Sequence, residues 1–280
     1  MSKKTVLILG GTGFVGSYLR DHLRDEYRVL TTSRSGAGAD LAFDLAQAST
    51  TPLFDEVAPD AVVNCTVCYG ATLEECFEVN VRQSGTLFMA LRNRPLHFVQ
   101  ISSVSATPEN KHHNDYGLTK ALSDELLEYC ALRGALRVSI LRFSQIFDTG
   151  GRSASSQPGL HAWIKALTTG EPIKVYDRAP KKRSYIPVET VARAIALTIR
   201  EAIYGTHDVM TPETYTPLEL VHLLAGLADY DTSRIEVVDK EALGYAIPPC
   251  SPRFQGWLAK QEPAPAAFAR LFPGRARSLA

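Results

Sequence analysis

An apolar run, Thr5 to Leu9, passes without interruption into Gly10-Gly11-Thr12-Gly13-Phe14-Val15-Gly16. A helical pattern follows in which Val15, Leu19, His22 and Leu23 share one face. Glycines spaced as at 10, 13 and 16 permit a tight turn, a close approach of backbone N–H groups to an anion, and close packing of the helix on its strand. Strand, glycine turn and helix in that order open a βαβ unit, with the anion at the positive helix terminus. The chain is thereby restricted to an α/β fold with a parallel sheet, and a dinucleotide pyrophosphate is the ligand this turn suits.

The rest of the first half keeps that rhythm. Thr5 to Leu9, Arg28 to Thr32, Leu41 to Leu45, Ala61 to Cys65, His97 to Ser102 and Arg137 to Phe143 read as strands. Between them Phe77, Val81, Ser84, Phe88 and Leu91, then Ala121, Leu122, Leu126 and Tyr129, fall at helical spacing and are expected to face the core. The helices near residues 74–92 and 116–133 could instead pack on a second subunit, giving a homodimer. After Phe143 the pattern changes to a Gly/Ser-rich stretch, a helix through Thr168, and helices over Val188–Ala202 and Thr216–Ala228. The expected architecture is a Rossmann-type doubly wound parallel sheet with a small C-terminal substrate-binding lobe. Residues 1–150 form the dinucleotide-binding domain; residues 151–280 form mainly the lobe, with some segments returning to the sheet. The tail from Pro263 lacks periodicity and reads as loosely held.

Composition excludes several classes. With 30 basic and 30 acidic side chains the formal net charge is zero, so no global field draws the chain to nucleic acid or to an anionic membrane. No apolar run reaches the length of a membrane span or a signal-peptide core, and the expected location is the cytoplasm. Five cysteines argue for reduced thiols, and Cys65 and Cys68, though a C-x-x-C pair, lack the further ligands of a zinc site; no metal is expected.

The end of the second strand selects the cofactor. A carboxylate there would suit the ribose 2′-OH of NAD and repel a 2′-phosphate, whereas this chain carries Thr31-Thr32-Ser33-Arg34. Ser33 and Arg34 suit a phosphate, so NADP (NADPH) is favoured over NAD. Thr12, Phe14 and Val15 join the glycines in holding the cofactor, Asp44 and Leu45 are placed at the adenine, and Cys65, Thr66 and Ser102 lie at carboxyl ends of strands, where open α/β sheets bind ligands.

Tyr116-Gly117-Leu118-Thr119-Lys120 places a phenol and an ammonium one helical turn apart. A tyrosine with its ordinary pKa of about 10 is a poor acid or base at neutral pH, and a nearby cation draws it toward the working range. Tyr116 is then the proton donor in carbonyl reduction, Lys120 supports it and holds the nicotinamide ribose, and Ser103 binds the reacting oxygen, with Ser102 as alternate.

This set resembles the extended short-chain dehydrogenase/reductases, the family of sugar-nucleotide epimerases, dehydratases and reductases. The resemblance also covers Asn80-Val81 with Gly85-Thr86, Leu141-Arg142-Phe143, Arg183 to Ala192, and Thr214 to Leu220. It implies a nucleotide-linked sugar as substrate, adds Asn80 to the cofactor-binding residues, makes Phe143 and Ser144 neighbours of the nicotinamide, and makes Arg183 a ligand of the substrate's diphosphate. The family's dehydratases carry an Asp-Glu pair just after the catalytic hydroxyl residue, and its inverting epimerase-reductases a Cys two positions on; here Val104 and Ser105 follow Ser103. His161 is a candidate partner for such an inversion but reads as structural, and His112 and His113 read as solvated loop residues. Three functions stay open: reduction of a keto group on a nucleotide-linked (deoxy)sugar, epimerisation with no net redox change, and NADP binding without catalysis in a sensor or scaffold.

Overall fold

The structure, a computed structural model, describes residues 3–48, 52–178, 181–241 and 244–274. The described residues form two compact units, one within 1–143 and 191–208, the other within 144–190 and 209–280.

The first unit contains β1 (Thr5–Leu9), α1 (Phe14–Leu23), β2 (Arg28–Ser33), β3 (Leu41–Ala42), α2 (Leu53–Val57), β4 (Ala61–Asn64), α3 (Leu73–Phe77), α4 (Ser84–Leu91), β5 (His97–Ser103), α5 (Asp115–Leu132) and β6 (Arg137–Phe143). Among the described residues, seven strands form one sheet in the order β10-β6-β5-β4-β1-β2-β3, where β10 is Gly205–Val209. The strands from β3 to β6 pair in parallel. All of β1 and β4 is buried, as expected of parallel strands covered on both faces. Leu7, Leu9, Val62, Phe88, Phe98, Leu127 and Ile140 share the main core.

Three local expectations are corrected. The third strand ends at Ala42 rather than Leu45, because the Asp44 carboxylate accepts the Ala46 N–H at 3.0 Å and caps a 3₁₀ turn over Leu45–Gln47. Between α3 and α4 lies a π-helical turn, Glu78–Gln83, which changes the helical phase. Cys76, Asn80 and Ser84 therefore turn inward, and Phe77, expected in the core, is 45% exposed. Tyr129 on α5 is likewise exposed; the buried side of that helix carries Thr119, Lys120, Ser123, Asp124, Leu127 and Cys130.

His97 opens β5 with its ring buried and its Nε2 2.7 Å from the Ser139 hydroxyl, which itself donates to the Ile203 carbonyl. The serine hydrogen is spent on Ile203, so Nε2 is the donor to the Ser139 hydroxyl. Burial, reinforced by Arg137, pushes the His97 pKa down to about 4. A depressed histidine binds its proton more readily in the unfolded chain. Its contribution is therefore fully present above about pH 6.5 and is lost as pH falls toward 4, amounting to about 3 kcal/mol. Chemical denaturation of His97→Gln, which keeps the donor, should show that much less acid destabilisation than wild type; parallel pH dependences would contradict this reading.

The second unit contains β7 (Gln145–Phe147), α6 (Pro158–Thr169), β8 (Ile173–Arg178), β9 (Arg183–Pro187), β11 (Thr214–Tyr215), α8 (Pro217–Ala228), β12 (Ile235–Glu241), α9 (Pro252–Leu258) and α10 (Ala264–Ala269); α7 (Val188–Glu201) leads back into the first. Among the described residues its strands pair as β11-β9-β7 and β12-β8. Thr216 and Glu219 close a capping box at the start of α8. The tail from Pro263 is not loosely held through its described part: α10 inserts Ala264, Ala267 and Phe268 into the second core, and Phe268 stacks on Phe147 with ring centres 4.5 Å apart. Residues 275–280 lie outside the described residues.

Candidate active site

The glycine turn is built by close approach. Gly10 is held at φ +73°, a left-handed backbone that glycine adopts without strain. Gly11 donates its N–H to the Thr32 carbonyl at 2.9 Å, tying the turn to β2. A Cβ on Gly16 would lie 2.4 Å from the Gly10 carbonyl oxygen and 2.9 Å from the Gly11 Cα, so α1 rests on its own turn where only hydrogen fits. Gly13 caps α1 with extended backbone and no side-chain bond, which leaves the first helical amides open to an anion. Thr12 and Gly13 are exposed, while Phe14 and Val15 are half-buried. A Cβ on Gly10 would stand 3.3 Å from the backbone of Cys65 and Thr66, so the end of β4 lies against the turn. This cradle fits a dinucleotide diphosphate.

The hydroxyls at the end of β2 are engaged within the protein. Thr31 donates to Asp40 Oδ2 at 2.7 Å, Thr32 Oγ1 accepts the Gly10 N–H at 3.4 Å, and Ser33 donates to the Ala37 carbonyl at 3.0 Å. Arg34 follows with its side chain exposed. Asp40, which no sequence motif marks, reaches back nine residues across a glycine-containing loop.

The second cluster stands at the carboxyl ends of β4 and β5. Asn114 Oδ1 accepts the Gly117 N–H at 2.7 Å and starts α5, and a Cβ on Gly117 would meet the Ser105 carbonyl at 2.6 Å. This close seating fixes Tyr116, whose ring meets Tyr69 edge to face at 4.9 Å. Lys120 is buried and donates from Nζ to the Ile101 carbonyl at 2.8 Å. Burial pushes its pKa down, opposed first by the Asp124 carboxylate. The Cys65 thiol is pushed up to about 12 by burial, against the pull of Lys120. Ser102 gives its hydroxyl to Asp124 Oδ2 at 2.7 Å, whereas Ser103 Oγ accepts the Ser105 N–H at 3.1 Å.

Asn80 is committed to protein partners: its amide oxygen accepts the Cys68 N–H at 2.8 Å, and its Nδ2 donates to the Cys68 carbonyl at 3.0 Å and to Thr119 Oγ1 at 3.1 Å. It clamps the loop bearing Tyr69 to the helix bearing Tyr116. Asp44 is occupied as a cap beside the buried Leu45, and Phe143 is buried next to Ser103 in register. Ser144 and Arg183 belong to the second unit, where Ser144 donates to Ser184 at 3.1 Å and Arg183 begins β9. His161 binds Ser153, which donates to Asp148, while His112 and His113 are exposed. Among the described residues no group of three His, Cys, Asp or Glu is placed to hold a metal, and no helix is long and apolar enough to cross a membrane.

The first cluster is thus an anion cradle, and the second contains the Tyr116 phenol, the Ser103 hydroxyl and the buried Lys120 ammonium. A model of the NAD dependent epimerase/dehydratase family matches residues 6–209. No curated protein matches the sequence. The fold is similar to that of the UDP-N-acetylglucosamine 4-epimerase of Methanobrevibacter ruminantium M1, solved with UDP-N-acetylmuramic acid (TM-score 0.77, 19% identity, 97% of each chain covered). It is also similar to the UDP-glucose 4-epimerase of Thermus thermophilus with NAD (0.75, 20%, 96% of this chain and 99% of that one). The dTDP-glucose 4,6-dehydratase of Bacillus anthracis str. Ames with NAD is a third (0.77, 16%, 96% and 95%). At such identities the likeness is one of fold.

Proposed function

The chain belongs to the NAD dependent epimerase/dehydratase family, and on that premise we propose that it is an NADP-dependent reductase acting on a keto group of a nucleotide-linked sugar. The turn from Gly10 to Gly16 and the start of α1 would hold the diphosphate of the cofactor, Arg34 the 2′-phosphate, Asp44 and Leu45 the adenine, and Lys120 the nicotinamide ribose. When bound, the nicotinamide supplies hydride exchange at carbon. Ser103 donates its hydroxyl hydrogen to the substrate's carbonyl oxygen, and Tyr116 delivers a proton from its phenol to that oxygen as the alcohol forms. Lys120 stands behind Tyr116 as a fixed cation, and the Asn80 clamp holds the adjoining loop in place.

The observation that carries reduction over dehydration is the turn after Ser103. Val104 and Ser105 are both buried there, and the turn carries no carboxylate. Removal of water needs such an acid and base. The nucleotide-linked substrate is supported by the ligand of the similar 4-epimerase from Methanobrevibacter ruminantium M1. The same epimerases favour a second reading, epimerisation with a retained cofactor. A second copy of the chain is proposed as partner on the face formed by residues 74–92 and 116–133, where Phe77, Met89, Tyr129 and Leu132 are exposed and Phe77, Val81, Gly85, Met89 and Leu126 line an apolar groove.

Calorimetric titration with NADPH and NADH, followed by an absorbance screen against nucleotide-linked keto-sugars, tests the reading. Substrate-dependent consumption of NADPH is expected; turnover of sugar with no net consumption would replace reduction by epimerisation. Arg34→Ala should weaken NADPH by about 10- to 100-fold, the scale of a charge-assisted hydrogen bond, and leave NADH unchanged. An equal effect on both would remove Arg34 from the 2′-phosphate.

A further inference from the structure

Asp124 is an acidic side chain in the first unit that the proposed chemistry does not use. It is fully buried on α5; Oδ2 accepts the Ser102 hydroxyl at 2.7 Å and Arg142 Nε at 3.2 Å, and Oδ1 meets no donor among the described residues. A carboxylate in such a place persists only where paired charge offsets its desolvation. Arg142, largely buried on β6, is one such charge. The other is Lys120, which precedes Asp124 by four residues and so shares its helix face.

The groups around this pair are few. Lys120 faces Asp124 from its own helix and Cys65 from the end of β4. With its pKa near 12, Cys65 is a neutral thiol around pH 7 and supplies no charge. Arg142 also faces Asp208 on β10, whose carboxyl is pushed up by burial and drawn down by Arg142; Glu109 and His207 act on Asp208 in turn. Burial pushes the Asp124 carboxyl up as well, and Lys120, Arg142 and the Ser102 hydroxyl draw it back down; ionised, it is the anion that opposes the loss of the Lys120 proton.

We propose that Asp124 is a positioning residue for Lys120: anchored by Ser102 and Arg142, its carboxylate keeps the buried ammonium charged and seated behind Tyr116. The same contact withdraws the Ser102 hydroxyl from the substrate side and leaves that role to Ser103. The functional consequence rests on the catalytic reading of Tyr116 and Lys120 given above; the coupling between Asp124 and Lys120 does not.

Asp124→Asn keeps an acceptor for Ser102 and Arg142 and removes the charge. Calorimetry with NADPH should then show affinity falling about tenfold between about pH 7 and pH 9, where wild type changes less than twofold, because Lys120 now gives up its proton in that window. Asp124→Asn/Lys120→Met should lose this slope. A flat profile in Asp124→Asn would overturn the proposal. Should wild type bind neither NADPH nor NADH, the cofactor reading fails, and thermal unfolding still decides the pair. Asp124→Asn should lower the midpoint, and adding Lys120→Met should restore at least half of the loss. If Asp124→Asn does not fold, folding of the double variant supports the coupling. A double variant as unstable as the single one assigns Asp124 to Arg142 and the scaffold instead, and overturns it.

Discussion

Tyr116→Phe should lower turnover by about three orders of magnitude and leave dinucleotide affinity within about twofold of wild type. The substitution removes one oxygen and keeps the ring, so the edge-to-face contact with Tyr69 at 4.9 Å and the seating of α5 by Asn114 and Gly117 persist. What disappears is the proton that must reach the substrate oxygen. Ser103 cannot replace it: a serine hydroxyl is a far weaker acid than a phenol, and its oxygen is already fixed by the Ser105 N–H. A thousandfold loss corresponds to about 4 kcal/mol of barrier, within the range for one general acid. Single-turnover absorbance of bound cofactor, beside calorimetric affinity, separates the two effects. A variant turning over within tenfold of wild type would end the assignment of Tyr116 as proton donor, whatever the substrate.

The parts legible in the sequence are those whose physics is local. β1 and β6 have the boundaries expected from their apolar runs, and the turn between β1 and α1 follows from glycine spacing alone. Tyr116 and Lys120 lie one turn apart on a helix that opens at Asn114, as the four-residue spacing implies. Elsewhere burial and polarity are decoupled. On α5 the apolar stripe ending in Tyr129 is expected to face the core, yet the interior side is occupied by Thr119, Lys120, Ser123 and Asp124. A helix that brings polar groups inside shares its buried side between them and apolar residues: Ala121 is buried and Leu126 packs against the core as expected, while Tyr129 is displaced to the surface. Phe77 departs from expectation for another reason: an inserted π turn shifts the helical phase without any glycine or proline to mark it.

Partners distant in sequence are the least accessible. Asp124 has meaning only beside Arg142 and Ser102, 18 and 22 residues away, and Asn80 only beside Cys68 and Thr119. The alanine-rich segment after Pro263 shows no helical stripe because it is short, and it is ordered by Phe268 docking between Phe147 and Tyr185 rather than by intrinsic propensity.

Gly16→Ala should abolish measurable dinucleotide binding, a loss of at least about a hundredfold, and destabilise the protein by about 1–3 kcal/mol, the range for overpacking a close contact. The added methyl would stand 2.4 Å from the Gly10 carbonyl oxygen and 2.9 Å from the Gly11 Cα. Both are backbone atoms and neither can rotate aside, so α1 must lift from its turn. That movement carries the helical amides away from the anion position and opens the packing against β1. Gly13→Ala supplies the contrast, because its Cβ would find its nearest neighbour at 3.2 Å and its φ of −71° suits any residue. That contact needs a shift of only a few tenths of an ångström, so the second variant should lose far less stability and affinity than Gly16→Ala. Thermal midpoints without cofactor and calorimetry with NADPH on both proteins make the comparison. If the two alanines prove equally destabilising before any cofactor is added, helix-on-turn packing is not the reason for glycine at position 16; if only Gly16→Ala falls, the same steric contact accounts for both the fold of the turn and its capacity to hold a diphosphate.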